Sequence, residues 1–404
     1  MKVFLFDLMH YKADIDRFRV DGQLPDQLGK SYVDAAAAAQ TYAEHLAAWE
    51  EMERVGFDGL GINEHHSTPY GLMNSPNLLA AAAIQRTRRM QILIYGNLLP
   101  LHDPLRLAEE LAMLDCLSNG RLIAGVARGA QREYRAYNIP MSESRARFDE
   151  CWEVMRRAWT EESFSYEGQF HTYKDVAIWP RPIQQPHPPV WLPVTGSKDS
   201  IEWAAANDAS ITPGITRLGA AREDMIRYYA QCQARHGRKV TPDRLSFMVE
   251  CYVADSKEKA IEEYAPHFMY CFNTLMKYDH PPQDFGQTGY YSKTAHEHLR
   301  EGTKGTLADT TAFTNVLTLE GLKAQAEHMA FGSPDEVVER IIDEAEEAGA
   351  NTCLLMCNRG AMPNDQFLEQ IRRLGSSVVP RLQAHEVKRV RAAEAVAGSM
   401  SPNS

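Results

Sequence analysis

The chain has 404 residues, of which 44% are hydrophobic, and this length is sufficient for one large α/β domain with insertions or for two domains of ordinary size. The formal net charge of -11 and the lack of a long basic run argue against nucleic acid or an anionic membrane surface as the main partner. The seven cysteines form no C-x-x-C pair, so reduced thiols are predicted. No stretch approaches the roughly 18 apolar residues of a membrane span, and the first residues do not resemble a signal peptide, so a cytoplasmic protein is predicted.

Eight short apolar segments alternate with helical patterns along the chain. The predicted strands are KVFLFDL, FDGLGIN, MQILIYGN, GRLIAGVA, PPVWLPV, DASITPG, RLSFMVECYVA and NTCLLMCN. The predicted helices cover residues 35–55, 76–88, 104–117, 143–159, 199–207, 217–236, 256–275 and 364–374. Strands that are apolar on both faces indicate a parallel sheet covered by helices, and eight such units favour a closed TIM (β/α)8 barrel; a doubly wound open sheet is the alternative.

Two insertions interrupt this alternation. Residues 160–188, which are rich in aromatic residues and proline, predict a small hairpin after the fourth unit. Residues 277–332 predict a long loop with some helix after the seventh unit, either a lid or interface or a plain surface excursion. Residues 1–380 are therefore expected to form one domain, and residues 381–404 a flexible tail.

Polar residues follow five of the predicted strands. The C-terminal ends of barrel strands meet at one mouth, so these residues should come together. Each of them alone is more ordinarily a solvated loop residue or a satisfied buried polar group, but their coincidence favours a site. They are His10, Tyr11, Asn63, Glu64, His65, His66, Asn97, Arg128, Thr195, Gly196 and Ser197.

The segment GINEHHSTPYG places one carboxylate and two imidazoles at the end of the second strand. Adjacent residues of a strand point to opposite sides, so His65 and His66 cannot bind one ion from regular strand geometry, and no metal site is predicted. One imidazole is instead expected to face the mouth as an acid or base near neutral pH. Glu64 would then fix its tautomer or hold the loop.

Two segments predict a site for a phosphate group. GVARGAQREYR places Arg128 and Gly129 directly after the fourth strand, and VTGSKDS places Ser197 and Ser200 where a helix begins. Helix capping would account for the serines alone, but Arg145 in SESRARF supplies a second arginine that could converge on the same group. The sequence lacks G-x-G-x-x-G after the first strand and the P-loop motif, so a Rossmann dinucleotide or a P-loop nucleotide is disfavoured.

The sequence resembles the bacterial luciferase-like flavin-dependent monooxygenase family over nearly its whole length. The segments that carry the resemblance, in the family's order, are GFDGLGINEHHSTPYGLMNSPNLLAAA, NLLPLHDPLRLAEELAMLDCLSNGRLIAGVARG, SESRARFDECWEVMRRAW, SIEWAA and GSPDEVVERI. The resemblance implies a TIM barrel that binds reduced FMN (FMNH2) at its mouth. It also implies that O2, through a flavin hydroperoxide, donates one oxygen atom to a small apolar substrate such as an aldehyde, ketone or terpene.

The resemblance also implies roles for individual residues. His65 matches the family's proton-transfer residue, with Glu64 and His66 as supporting neighbours. The isoalloxazine ring of the flavin is expected above Tyr95, Gly96 and Asn97, where family members often have a cis peptide bond. The positions that match the binding site of the FMN phosphate are Arg128, Ala130, Arg145, Ser197 and Ser200, with Thr195 and Gly196 in the same loop.

The chain departs from the light-emitting enzymes at two of these positions. Ala127 stands where they have a reactive cysteine, and Gly196 stands where they have a glutamate before the phosphate-binding serine. Bioluminescence is therefore not predicted. The predicted lid shares only general character with the family, and its aromatic residues Phe285, Tyr290 and Tyr291 are expected either to line an apolar pocket or to be ordinary packing.

The chain shows no second nucleotide motif, so reduced flavin is expected to come from a separate NAD(P)H:flavin reductase. The resemblance further implies a homodimer or heterodimer formed through the helices that contain LLAAAAIQ and LAEELAML. Two alternatives keep the fold: a deazaflavin-dependent hydride-transfer enzyme, and a non-catalytic flavin-binding protein. Outside the family, an enzyme for sugar phosphates would use a similar phosphate site, but it would normally place a lysine or glutamate at the mouth.

Overall fold

Parallel strands form the centre of the molecule, and helices cover them. The computed structural model describes residues 1–18, 28–214, 219–276 and 317–394. The strands are β1 (Lys2–Asp7), β2 (Gly59–Ile62), β3 (Gln91–Leu98), β4 (Leu122–Ala127), β5 (Phe164–Glu167), β6 (Thr172–Val176), β7 (Val190–Val194), β8 (Ser210–Pro213), β9 (Ser246–Val253), β10 (Ala330–Gly332) and β11 (Thr352–Met356). The helices are α1 (Ala35–Arg54), α2 (Pro76–Arg86), α3 (Pro104–Ser118), α4 (Gln131–Ala136), α5 (Ser144–Thr160), α6 (Lys198–Ala206), α7 (Ala220–Arg235), α8 (Lys257–Tyr270), α9 (Leu319–Gln325), α10 (Pro334–Ala348), α11 (Asn364–Ser377) and α12 (Val379–Gln383). In these ranges no helix is long and apolar enough to span a bilayer.

Nine strands of the described chain form one curled sheet in the order β10-β9-β11-β1-β2-β3-β4-β7-β8, and all neighbours in it are parallel. A parallel bridge between Ile211 of β8 and Leu245, the residue before β9, joins the two sides of the sheet. At the same seam the hydroxyls of Thr212 and Ser246 are 2.5 Å apart. The α/β class predicted from the sequence is therefore confirmed, and the carboxyl ends of the strands face one side.

Local sequence signals set the ends of several helices. In α10, the Ser333 hydroxyl accepts from the Glu336 backbone N–H while the Glu336 carboxylate accepts from the Ser333 backbone N–H, which is a capping box. Pro334 occupies the first turn, where its missing N–H is not needed. Gly349 ends the helix in the left-handed conformation at φ 61°. These signals fix the first and last residues of α10.

One apolar core lies inside the curled sheet, and a second apolar core lies between the sheet and the helices that cover it. The inner core includes Phe4, Phe6, Leu93, Tyr95, Ile123, Trp191, Met248, Leu354 and Met356. Its lower residues Phe4 and Leu354 are 0% exposed, whereas Phe6 and Met356, two positions further along the same strands, retain 9% and 8% exposure. Among the described residues, the inner core therefore closes below and is less tightly covered at the mouth.

Three further predictions concern the insertions and the C-terminal segment. The hairpin expected within residues 160–188 is present, because β5 and β6 pair antiparallel. Of the expected lid at 277–332, residues 277–316 lie outside the described residues together with the aromatic residues named above, and the remainder contains α9 and the unpredicted strand β10. The expectation of a flexible tail is wrong for residues 381–394. Val387 and Val390 are buried, and the Val387 backbone N–H donates to Asn351 Oδ1 at 2.9 Å.

Candidate active site

His65 lies just beyond the end of β2 and is held by a buried carboxylate from another element. His65 Nδ1 is 3.3 Å from Glu133 Oε1, and Glu133 is fully buried at the start of α4. The other oxygen, Glu133 Oε2, accepts from the backbone N–H of Ala130 at 2.8 Å. The ring of Tyr70 packs edge-on against His65 with centroids 5.0 Å apart. Because a carboxylate only accepts hydrogen bonds, this contact places a proton on Nδ1 of His65.

Glu64 contacts its neighbour His66 and also His102, which was not predicted. Glu64 Oε1 is 2.7 Å from His66 Nε2, and both oxygens of Glu64 are within 3.0 Å of His102 Nε2. Glu64 Oε2 also accepts from the Leu98 backbone N–H at 2.9 Å. Burial alone would raise the pKa of Glu64, but the hydrogen bonds from His102 and His66 and the charge of His102 lower it to about 2. Glu64 thus anchors the loop after β2 to the end of β3.

The residues proposed to bind a phosphate converge at the ends of β4 and β7; we call Arg128, Arg145, Ser197 and Ser200 the phosphate cradle. Arg145 Nη2 donates to Ser200 Oγ at 3.1 Å. Burial raises the pKa of Asp149, while the charges of Arg145 and Arg128 act on the same carboxyl in the opposite direction. The charges of both arginines therefore act on the Asp149 carboxyl, and Arg145 Nη1 lies 3.8 Å from Asp149 Oδ1.

The start of α6 in this cradle has no side-chain cap. Ser197 is the N-cap residue, yet its hydroxyl accepts no hydrogen bond from the helix backbone. Gly196 before it has φ 132°, a conformation that favours glycine, and Thr195 is exposed. The Ser197 side chain therefore does not cap the helix, and the first N–H groups of α6 receive no hydrogen bond from its hydroxyl.

The end of β3 brings backbone and aromatic groups close together beneath the mouth. The Tyr95–Gly96 peptide bond is cis, at the position where the family resemblance implied one. A Cβ on Gly96 would lie 2.7 Å from the Val126 backbone nitrogen, so only glycine fits there. The Tyr95 hydroxyl donates to Thr212 Oγ1, and burial raises the pKa of this phenol well above its usual range.

Two buried amide side chains stand at the ends of β2 and β3 without partners. Asn63 is 3% exposed and Asn97 is 0% exposed, and neither amide makes a hydrogen bond to any residue in the described ranges. Burying an unpaired amide is unfavourable, by roughly 1–3 kcal/mol per group from mutational data. Such groups at a strand-end mouth are therefore candidates for binding a polar ligand.

A polar cluster at the ends of β9 and β11 combines the predicted residue His10 with Glu250, Arg359 and Tyr264, which were not predicted; we call these four residues the charged wall. Arg359 Nε donates to Glu250 Oε1 at 2.8 Å, and the Tyr264 hydroxyl donates to Glu250 Oε2 at 2.6 Å. His10 Nδ1 hydrogen-bonds to the Tyr70 carbonyl, and burial with the charge of Arg359 lowers the pKa of His10 to about 3. The Tyr70 ring lies between His10 and His65, with centroid distances of 5.0 Å to each.

The structure thus places most of the predicted residues at one end of the sheet. Glu133, His102, Asp149, Glu250 and Arg359 were not predicted; except for Asp149, which pairs with Arg145 one turn earlier in α5, each makes its contact with a residue far away in the sequence. Only Glu133 left a signal, since it follows Arg128 by five positions in RGAQREYR and caps the helix that begins there. In the described part of the chain, no group of three or more His, Cys, Asp or Glu residues is arranged to hold a metal ion.

Comparison with known proteins identifies the family of this chain. Residues 24–352 match the family of luciferase-like monooxygenases. An uncharacterized protein of Sinorhizobium fredii, y4wF, is 29% identical over 86% of this chain and 94% of its own length. The oxygenase component of the flavin-dependent trigonelline monooxygenase of Acinetobacter baylyi is 26% identical over 56% of this chain and 63% of its own length.

Solved structures with the same fold include both flavin and deazaflavin enzymes. Monooxygenase RslO1 from Streptomyces bottropensis has a TM-score of 0.69 at 26% identity and covers 94% of this chain and 99% of its own. The oxygenating constituent of 3,6-diketocamphane monooxygenase from Pseudomonas putida, in complex with FMN, has a TM-score of 0.70 at 19% identity, with 94% and 98% covered. An F420-dependent secondary alcohol dehydrogenase has a TM-score of 0.63 at 16% identity, with 94% and 98% covered.

Proposed function

Because the chain belongs to the family of luciferase-like monooxygenases, we propose that it is an FMN-dependent monooxygenase built on a closed (β/α)8 barrel. It would bind reduced FMN at the mouth and insert one oxygen atom from O2 into a small organic substrate with an apolar body, such as an aldehyde, ketone or terpene. Closure of the barrel is supported by the bridge between Ile211 and Leu245. The apolar inner core below the mouth supports an apolar substrate body.

The observation that carries the proposal is the uncapped start of α6 facing two arginines. A phosphate monoester needs several hydrogen-bond donors and positive charge, and the phosphate cradle offers guanidinium groups, hydroxyls and helix N–H groups. The unpaired amides of Asn63 and Asn97 suit the carbonyl and imide edge of an isoalloxazine ring, which both donates and accepts hydrogen bonds. These residues fit FMN, with Ala130 contributing its loop backbone.

When bound, reduced FMN would supply the activation of O2, which no side chain can perform. The protein would supply position, exclusion of water and proton transfer. His65 would exchange a proton at Nε2, because Glu133 holds its Nδ1 proton; a positioned acid or base of this kind contributes about 10²- to 10⁴-fold in rate. Glu64 and His66 would keep the loop of His65 in place through His102 and Leu98.

Reduced flavin would come from a separate NAD(P)H:flavin reductase, as expected for an oxygenase component. A dimer formed through α2 and α3 is also proposed, supported by the exposure of Leu78, Met113 and Leu117 on these helices. The test supplies reduced FMN from a reductase to purified protein with a panel of aldehydes, cyclic ketones and terpenes, and mass spectrometry detects one added oxygen. NADH and FMN without the reductase should give almost no product; equal product without it would refute the two-component arrangement.

A deazaflavin-dependent hydride transfer is the alternative function, favoured by the structural likeness to the F420-dependent alcohol dehydrogenase. Titration of the protein with FMN and with the deazaflavin, followed by absorbance, separates the two. The proposal expects the tighter complex with FMN. Tight binding of the deazaflavin alone, with oxidation of an alcohol and no uptake of O2, would replace it.

A further inference from the structure

The charged wall is unusual for a pocket with an apolar floor. Glu250 pairs in register with Met356 and so points inward with it, level with the residues that remain slightly exposed at the mouth. Arg359 is 6% exposed and Glu250 is 8% exposed. Removing two charges from water costs several kcal/mol for each ion, and a buried pair seldom repays this cost beyond what packed apolar residues would give. Stability alone therefore accounts poorly for the pair.

The position of the pair points to the substrate. Residues at the carboxyl ends of barrel strands line the active site in this architecture, whereas stabilising residues concentrate at the other end. Tyr70 connects the pair to the reacting side, because its ring lies against both His65 and His10, and its phenol interacts electrostatically with Arg359. A molecule bound beside His65 would thus reach Arg359 across one aromatic ring.

Arg359 keeps donors that the protein does not use. A guanidinium group has five N–H bonds. Nε and Nη2 of Arg359 donate to Glu250 Oε1, and Nη2 also contacts the Met356 sulfur at 3.1 Å. The central carbon of the guanidinium group lies 5.8 Å from the centre of the Phe272 ring. The guanidinium group also hydrogen-bonds to the Cys271 thiol. Within the described ranges, Nη1 donates to no oxygen. One edge of the guanidinium therefore remains for an acceptor.

The charge balance decides which acceptor fits. Glu250 already neutralises Arg359, and Tyr264 occupies its second oxygen. A carboxylate arriving about 5 Å from Glu250 would meet repulsion of roughly 3 kcal/mol at an effective dielectric constant of about 20, which offsets most of its attraction of roughly 4 kcal/mol to Arg359 at about 4 Å. The loss of its own hydration then makes its binding unfavourable. A neutral carbonyl oxygen accepts the same hydrogen bond without this repulsion. The pair therefore selects for a neutral acceptor.

We propose that Arg359 donates a hydrogen bond to a neutral carbonyl group of the substrate, while Glu250 excludes the corresponding carboxylate. This inference rests on the proposed function, since it concerns the substrate of the same site. It narrows the substrate to an aldehyde, ketone, ester or amide with an apolar body. Terpene hydrocarbons and organic acids are excluded as substrates.

The test compares three ligands of nearly equal shape: acetylcyclohexane, isopropylcyclohexane and cyclohexanecarboxylate. Their affinities for the full-length protein, with and without oxidised FMN, are measured by ligand-observed NMR. A hydrogen bond from a charged donor predicts that the ketone binds roughly tenfold to a hundredfold more tightly than the hydrocarbon, and that the acid binds no more tightly than the hydrocarbon. Equal affinities for ketone and hydrocarbon, or no binding of the ketone, would overturn the inference.

Variants separate the two members of the pair. Glu250→Gln leaves the arginine charge uncompensated, so the acid should gain at least about tenfold in affinity while the ketone changes little. The double variant Arg359→Met with Glu250→Met leaves no buried charge, and it should remove the preference for the ketone. The matched control is Arg222→Met with Glu344→Met, a buried ion pair between α7 and α10, which should leave all three affinities unchanged.

Titration with FMN on the same samples keeps the two proposals distinguishable. If FMN binds with the expected dependence on the phosphate cradle but the ketone preference is absent, only the role of the charged wall fails. If FMN does not bind, the proposed function fails whatever the ligands do. Thermal unfolding of each variant verifies that it is folded; a folded double variant that keeps the wild-type preference refutes the role of Arg359.

Discussion

Replacing Glu133 with glutamine tests the link between the loop after β4 and His65. The carboxylate is fully buried and accepts two hydrogen bonds, from His65 Nδ1 at 3.3 Å and from the Ala130 backbone N–H at 2.8 Å. Glutamine offers one oxygen and one NH2 group in nearly the same volume. Glutamine therefore cannot accept from both N–H groups. Either one buried hydrogen bond is lost, at a cost of about 1–3 kcal/mol, or His65 changes tautomer so that its Nδ1 accepts from the glutamine NH2.

The expected result depends on which donor loses its partner, and both outcomes can be measured. If Ala130 keeps the oxygen, His65 loses its orientation and its tautomer, and kcat should fall by about 10- to 1000-fold with little change in KM. If His65 keeps the oxygen, the start of α4 is weakened, and the free energy of unfolding should fall by about 1–3 kcal/mol.

The assays are product formation with enzymatically supplied reduced FMN and unfolding in urea. The control is Glu143→Gln, a partly exposed glutamate paired with Arg147. A Glu133→Gln protein with both stability and kcat unchanged would refute the reasoning, because the structure leaves no arrangement in which glutamine satisfies both donors.

Three further predictions concern the phosphate cradle and the charged wall. Arg128→Met and Arg145→Met should each weaken FMN binding by roughly 10- to 100-fold in a fluorescence titration, while riboflavin, which lacks the phosphate, should bind as before. Ser197→Ala should cost under about 0.5 kcal/mol of stability yet weaken FMN binding, whereas Ser333→Ala, which removes a true helix cap, should cost about 1 kcal/mol in urea unfolding. Burial and the charge of Arg359 lower the pKa of His10 from 6.5 to about 3. Below pH 6.5 the unfolded chain therefore binds a proton at His10 that the folded chain does not bind. The free energy of unfolding should decrease as the pH is lowered. Between about pH 6.5 and 5 the wild type should lose about 1.5 kcal/mol more than His10→Asn in urea unfolding.

The fold was largely predictable because its strands are buried on both faces. Short apolar runs separated by amphipathic segments are typical of parallel strands that alternate with covering helices, and the predicted helix 35–55 is observed at Ala35–Arg54. The errors arose where burial depends on distant contacts. Strand β10 has three residues and pairs with the outer edge of β9, a pattern too short to detect in sequence. Val387 and Val390 are spaced three apart among charged residues, so their burial was not apparent without the sheet beside them.

The site was predictable where the chain itself brings groups together. Arg128 follows β4 directly, and Ser197 begins α6, so topology alone predicted that they would meet. The partner of His65 was not predictable, because an extended chain turns Glu64 and His66 to one side and His65 to the other. The acid next in sequence was therefore the wrong one for His65, and the correct one lies 68 positions away.

One carboxylate joins the two functions proposed for the mouth, and this makes a last prediction. One carboxylate oxygen of Glu133 accepts a hydrogen bond from His65. The other accepts from the backbone N–H of Ala130, which lies in the loop proposed to bind phosphate. A phosphate drawing on that N–H would loosen its bond to Glu133 and strengthen the carboxylate as an acceptor for His65. In Glu133→Gln, FMN affinity and kcat should therefore both change, whereas Arg145→Met should change affinity alone once FMN is saturating. Titration of FMN affinity and kcat in both variants checks this. An Arg145→Met protein whose kcat at saturating FMN falls as far as that of Glu133→Gln would show that orientation of His65 does not run through this carboxylate.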